Sequence, residues 1–421
     1  MRNWKQRNPA GVLLLAVIAG LPAGARNLVT DWTTIASTTI VKNGGKSPGA
    51  SGVWFAYTSI AMYDAVSAVT GQYRPFYYQG PDAPNVSIDA AAVAAAHKVL
   101  VNYFPAQQAD LDSQFTASLA GINVDPQVKA AGVTIGEAAA AALIAARAND
   151  GLEANVPYTP GTGPGAWQPT PPAFLPAATP WLAQMRPFTM TTPADHRPAG
   201  PPSLASETWK RDYRLVQAAG GAGDALMRSA NEKEIGLFYT EHTGQQYARL
   251  FRYLADNQNL GVADTARLMA VLWTGFADAA IGCWDGKYKY SFWRPVTAIP
   301  AGGGSLELQS DVSWQALAAT PNHPEYPSGH GCVTGAVTTL IAGFFGTSGV
   351  PLSVDSLAFT DGTHTHNFVD TRDFMDEVFW ARMYTGFHYY HSMQDGQQLG
   401  TDVARELLRS HFRSRRDEGM Q

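Results

Sequence analysis

The sequence predicts an all-α protein, built as one or more helical bundles with one or two cores and long ordered loops. Three observations predict it. Alanine-rich runs, in places free of Gly and Pro, recur through the first half. Apolar residues at helical spacing resume after residue 205, and strand signals are scarce throughout. No internal repeat marks a solenoid or propeller.

Taken in order, residues 1–25 carry three cations, an apolar run and an Ala-Gly-Ala close, the pattern of a signal peptide. We expect export to the periplasm or medium, leaving 26–421 as a single helical domain. Cleavage there removes Arg2, Lys5 and Arg7, leaving 27 cations against 35 anions. Residues 51–71 are apolar on most sides with one charge, Asp64, which predicts a buried helix. Further helices are expected at 88–104, 106–119 and 126–149. From 151 to 203 the chain is rich in Pro and Gly, but Tyr158, Trp167, Phe174, Trp181 and Phe188 favour a long ordered loop packed on the body over a flexible linker. Helices are expected again at 205–219, 231–257 and 262–281. Residues 331–353 carry no charge; high Gly and Thr content favours a buried helix over 332–345 rather than a membrane span.

Composition excludes some functions. The 421 residues are 45% hydrophobic and 15% charged, with a net charge of −5. That argues against disorder and against a nucleic-acid partner bound through a basic face. No membrane span is expected once the signal segment is removed, and self-association into a homo-oligomer is left open. Cys283 and Cys332 are too few for a disulfide scaffold, and whether they pair is also left open.

Three clusters between 282 and 400 carry chemistry. In KYKYSFWRP, a helical course would put Lys287 and Arg294 on one face, where cations among aromatic rings call for an anion. In HPEYPSGHG, Ser328 and Gly329 precede a helix expected after Gly331, whose free amides and dipole favour an anion, with His330 beside it for proton transfer. In ARMYTGFHYYHSMQDG, Met375, Val378, Phe379 and Arg382 form one stripe, so Arg382 points inward and needs a partner. Gly386 would then break the helix and turn His388 back toward the same place.

Lys-x6-Arg-Pro, Pro-Ser-Gly-His and Arg-x3-Gly-x-His resemble the signature of the vanadium-dependent haloperoxidase and type-2 phosphatidic acid phosphatase superfamily. The matching residues are Lys287, Arg294, Pro295, Pro327, Ser328, Gly329, His330, Arg382, Gly386 and His388. The resemblance implies a helical bundle of that type with an oxyanion in its core. Lys287, Arg294, Ser328, Gly329 and Arg382 would bind vanadate or phosphate. His388 would be the vanadium ligand or the nucleophile, His330 the acid–base residue, and Lys287 would also polarise bound peroxide.

Two reactions fit one cage: oxidation of a halide by hydrogen peroxide with vanadate as cofactor, delivering hypohalous acid to an organic acceptor, or hydrolysis of phosphate monoesters through a phosphohistidine. Phosphatase-type members commonly place an Asp four residues after the nucleophilic His. Here that position is Ser392, and the nearest downstream acid is Asp395, which favours the peroxidase unless Asp395 or an acid from elsewhere serves. His323 stands where haloperoxidases that favour bromide have His, which implies bromide and iodide over chloride. Asp278 and Asp285 are candidates to hydrogen-bond a site histidine, and Trp284 and Trp293 to wall the site. His364 and His366 have H-x-H spacing but no evident third ligand, and are expected in a polar loop.

Overall fold

Alanine and glycine let the first helices approach closely. The protein is described by a computed structural model over residues 27–223 and 227–415, so the expected signal segment lies outside the described residues. The chain opens with α1 (Leu28–Ser37), α2 (Ser51–Thr70), α3 (Ile88–Tyr103), α4 (Gln108–Gly121) and α5 (Pro126–Arg147). Helix α2 is buried along nearly its whole length and stops at Gly71, which takes a left-handed φ of 65°. Its one charge, Asp64, accepts from the amides of Phe76, Tyr77 and Tyr78 and so fastens the loop that follows. A Cβ on Gly136 of α5 would lie 2.2 Å from the carbonyl oxygen of Ala91 in α3, which shows how tightly the two helices pack.

The loop at 151–203 packs across the helical body. Trp167, Trp181 and Phe188 are buried, although Phe174 points outward. Its amides reach across the body, Trp167 to the Ser291 carbonyl (2.7 Å) and Ala178 to that of Asn322 (2.8 Å).

The second half holds α6 (Glu207–Ala219), α7 (Ala230–Phe238), α8 (Thr243–Asn257), α9 (Val262–Tyr290), the short α10 (Pro295–Ala298), α11 (Gly329–Phe345), α12 (Thr371–Tyr384) and α13 (Tyr390–Ser410). Three boundaries differ from expectation. The helix expected over 231–257 is two, because residues 239–242 leave helical geometry and His242, extended, becomes the N-cap of α8. Helix α9 runs on to Tyr290 and stops only where Ser291 adopts a left-handed φ of 49°. Helix α11 begins at Gly329, before Gly331, because Ser328 caps it. One antiparallel hairpin, β1 (Leu352–Ser356) and β2 (His364–Phe368), lies where no strand was expected, and it places His364 and His366 on a strand.

Helices α2, α9, α11 and α13 share one hydrophobic core that runs from Leu28 to Phe412. Helix α9 is long and apolar enough to cross a membrane, yet its most apolar window is 94% buried among other helices, as a core helix is. A second cluster, dominated by Trp209 and Tyr213 of α6 with Trp293, Tyr326 and Tyr389, forms on the buried face of α6.

Candidate active site

Where α9 ends, it delivers a fully buried lysine. Lys287 and Arg294 are both 0% exposed, but a continuing helix does not align them as expected. The chain leaves helical geometry after Tyr290, and Arg294 is extended ahead of α10. The two cations converge instead on the loop 323–328. Lys287 Nζ donates to the carbonyls of Pro324 (3.0 Å), Glu325 (2.9 Å) and Pro327 (2.5 Å). Arg294 donates from Nε to the His323 carbonyl (3.0 Å), and from Nη1 to the Phe387 carbonyl (2.9 Å) and His388 Nε2 (3.2 Å). Its Nη2 lies 3.1 Å from His323 Nδ1.

Helix α11 presents its N-terminus to the same place. Ser328 Oγ accepts from the Gly331 amide (3.3 Å), and the Ser328 amide donates to the Ser392 carbonyl (3.1 Å). The capping oxygen still has its own proton to donate, and the first-turn amides have no intrahelical acceptor. Small residues bring α13 against α11: a Cβ on Gly400 would lie 1.9 Å from the Cys332 carbonyl oxygen.

Helix α12 supplies Arg382, 2% exposed. Its Nη1 donates to the Tyr239 carbonyl (2.8 Å), its guanidinium lies 4.7 Å from the Phe387 ring centre, and its Nε has no partner among the described residues. Beyond the helix end Gly386 takes a φ of 72°, so close to Gly220 that a Cβ would fall 2.4 Å from its carbonyl oxygen. That turn aims His388 back at Arg294.

The tautomer of His388 follows from its partners. A guanidinium only donates, so Nε2, facing Arg294 Nη1, holds a lone pair; Nδ1 therefore carries the proton and donates to Glu325 Oε1 at 2.8 Å. Burial first, and then Arg294, Lys287 and Arg382, push the His388 pKa well below the ordinary 6.5. His330 and His323 are depressed too, by burial and then by the same cations. His330 Nε2 lies 3.3 Å from Thr243 Oγ1 at the start of α8. Burial also lowers Lys287 to about 8, Arg294 to about 10 and Arg382 to about 9.

A cavity of about 510 Å³ opens in front of these groups. Gly329, His330, Arg382 and His388 line it together with His323 and Trp284, whose rings are 4.9 Å apart. Lys287, Arg294 and Ser328 stand behind that wall, fully buried.

Other candidates lie elsewhere. Asp278 accepts from Phe188 and Thr189, and Asp285 pairs with Arg197, so neither touches a site histidine. Trp293 packs on Trp209 in the second cluster. His364 and His366 pair with Glu234, Glu377 and Asp361. Cys283 and Cys332 are buried free thiols. Asp395 does not reach His388; it accepts from the Tyr326 hydroxyl at 2.5 Å. The missing carboxylate is Glu325, which sequence reasoning passed over although it sits inside HPEYPSGHG. Among the described residues it is the only acid hydrogen-bonded to His323, His330 or His388. Thr243 was passed over too, since nothing in its sequence neighbourhood points to His330.

The sequence profile of the VCPO second helical-bundle domain matches residues 267–416, which contain all three motifs. Vanadium chloroperoxidase of Curvularia inaequalis is 29% identical over 188 residues, covering 37% of this chain and 30% of that protein. Among solved structures, the first bacterial vanadium-dependent iodoperoxidase superposes with a TM-score of 0.77 at 23% identity, over 91% of this chain and 95% of that one. A holo-type bacterial vanadium-dependent chloroperoxidase gives 0.70 at 18% identity, over 92% and 96%. Three motifs thus converge on one buried cluster inside a fold shared with vanadium haloperoxidases, and residues 267–416, which hold all three, match the VCPO second helical-bundle domain.

Proposed function

We propose that the chain is an exported vanadate-dependent haloperoxidase, which uses hydrogen peroxide to oxidise bromide and iodide in preference to chloride and delivers hypohalous acid to an organic acceptor. His388 carries this reading. His388 lines a cavity beside three buried cations, and its Nε2, which accepts from Arg294, would exchange that donor for the anion, a donor set that fits an oxyanion coordinated through one imidazole. The relatives, named for vanadium and for chloride or iodide, support the cofactor.

His388 Nε2 would hold vanadate. Arg382, whose Nε has no partner among the described residues, would neutralise its oxygens together with Arg294, the Ser328 hydroxyl and the Gly329 amide. Lys287 would join by exchanging one of its three carbonyls for an anion oxygen. Bound vanadate supplies the activation of peroxide toward halide. His330, neutral and held by Thr243, would take and return a proton in the cavity. The halide order rests on His323, whose ring packs on Trp284 at the cavity wall.

The Glu325 contact also supports a second reading. Ser392 had favoured the peroxidase through loss of a carboxylate, but Glu325 supplies that carboxylate from another part of the fold, so this argument falls. In a phosphatase, Nε2 of His388 would attack phosphorus and His330 would protonate the leaving alcohol. A phosphate-free preparation, split in two, separates the readings. Vanadate-dependent oxidation of iodide and bromide with weak esterase activity is expected; rapid hydrolysis of a chromogenic phosphate ester without halide oxidation would reverse the assignment. His388→Ala should lose bound vanadate, whereas His330→Ala should keep it and lose turnover. Equal retention in both would contradict these roles.

A further inference from the structure

Behind His388 lies a second histidine–carboxylate pair that the proposed chemistry does not use. His391 donates from its backbone amide (3.0 Å) and from Nδ1 (2.6 Å) to Oδ2 of Asp212 on α6. Both side chains are buried. The other oxygen of Asp212 accepts from Arg211 Nε (3.1 Å) and Nη2 (3.0 Å), and the Arg211 side chain is 62% exposed. The pair therefore reaches from the surface of α6 inward.

Its inner end lies in the neighbourhood of Glu325. The His391 ring stacks with Tyr326 at 5.6 Å and Tyr389 at 6.3 Å, the residues that follow Glu325 and His388. With Nδ1 committed to Asp212, the other polar ring atom is Nε2, which is buried and makes no hydrogen bond among the described residues. The same is true of Glu325 Oε2 and Tyr389 Oη. Three such atoms on adjoining residues are costly unless a proton-bearing link joins them. After burial itself, His391 is the strongest influence on the Glu325 carboxyl, which places the two groups in each other's field.

We propose that His391 and Asp212 are positioning residues for His388, acting through Glu325 by a link between His391 Nε2 and Glu325 Oε2, direct or through one buried water. Asp212, His391, Glu325 and His388 then form one row from the α6 surface to the oxyanion cavity. Glu325 is held at Oε1 by His388 and by the Tyr389 amide (3.1 Å); tied at Oε2 as well, its carboxylate plane is fixed, and it holds the His388 ring in one orientation and one tautomer. The inference rests on the reading of His388 as the residue that binds the oxyanion.

The test uses the full-length protein labelled with 15N-histidine, free of vanadate, as wild type, His391→Gln, Asp212→Asn and Glu325→Gln, with His388→Ala assigning the His388 signal. Equilibrium dialysis against orthovanadate and a melting temperature accompany each spectrum. In wild type His388 should show the Nδ1–H tautomer. His391→Gln and Asp212→Asn should both shift it toward a tautomer mixture and weaken vanadate binding roughly ten-fold. Adding His391→Gln to Glu325→Gln should cost nothing more. If the variants only melt earlier, with the His388 signal and vanadate affinity of wild type, the pair is structural and the proposal is overturned. Additive losses in the double variant would overturn it as well. Should His391→Gln fail to fold, Asp212→Asn decides. If wild type takes up no vanadate while the His388 signal still responds to the variants, the cofactor reading fails and this one stands.

Discussion

A tetrahedral anion should raise the melting temperature of this protein, and most strongly at neutral pH. Lys287, Arg294 and Arg382 are at most 2% exposed, and burial draws them down to about 8, 10 and 9. At 1.36 kcal/mol per pH unit, each therefore costs the anion-free fold on the order of 3–5 kcal/mol. An anion charge about 4 Å from each cation returns roughly 4 kcal/mol per pair at an effective dielectric near 20, before the anion's own desolvation. Phosphate at about a hundred times its Kd then stabilises by about 2.7 kcal/mol, a rise of roughly 3 °C for a chain of this length. The pH dependence has a definite sign. Between about 8 and its ordinary 10.5, the unfolded chain keeps a proton on Lys287 that the anion-free fold has released, so the anion-free protein gains stability as pH rises across that window. Bound phosphate restores that proton in the fold and removes the gain. The difference in melting temperature with and without phosphate should therefore shrink from pH 7 to pH 10. Scanning fluorimetry in phosphate-free buffers, with chloride matching ionic strength, measures it. No rise at pH 7, or an equal rise in Arg382→Gln, would refute the reasoning.

Two further predictions concern the scaffold. Gly386→Ala should cost more than about 2 kcal/mol and displace His388, because φ is 72° and the added Cβ would meet the Gly220 carbonyl oxygen at 2.4 Å. Gly121→Ala, which meets open space, should change stability by less than about 1 kcal/mol, and denaturant unfolding of both variants compares them. His366 lies with Nδ1 2.6 Å from Glu377 and Nε2 3.1 Å from Glu234. Burial works against its charged form, but Glu377 and Glu234 outweigh burial and hold its pKa above 6.5. Its contribution to stability is thus full below that value and is lost as pH rises through the higher folded one. Hydrogen exchange over 352–368, corrected for intrinsic rates, should loosen toward alkaline pH in wild type and show no such trend in His366→Gln.

What was legible in the sequence was local. Helix α2 could be read because nearly every side chain in it is apolar, and Arg382 because its stripe repeats at helical spacing; a helix carries its own geometry along the chain. Lys287 and Arg294 were found by residue type, but the way they meet was not, since it depends on a left-handed Ser291 and on carbonyls 29 to 40 residues away. The break between α7 and α8 was missed because 231–257 is helical in pattern, whereas the break answers to tertiary contact: a Cβ at Gly244 would lie 2.4 Å from Ser51 Oγ of α2. The β1–β2 hairpin escaped notice because its strands are short and mostly polar.

The carboxylate behind His388 shows how far such reading extends. An imidazole that keeps a lone pair on Nε2 needs its other nitrogen held by an acceptor, and that requirement follows from chemistry alone. Looking four residues downstream applies a helix rule to it, and Ser392 does lie on α13. The acceptor comes instead from residue 325, on the loop that also takes up all three donors of Lys287. One segment therefore orients His388, anchors a cation and caps α11. Because an imidazole oriented in this way can serve as either a ligand or a nucleophile, the carboxylate side of the ring is common to both reactions. Selection between them would then belong to the cavity side, which His323, Trp284 and His330 line.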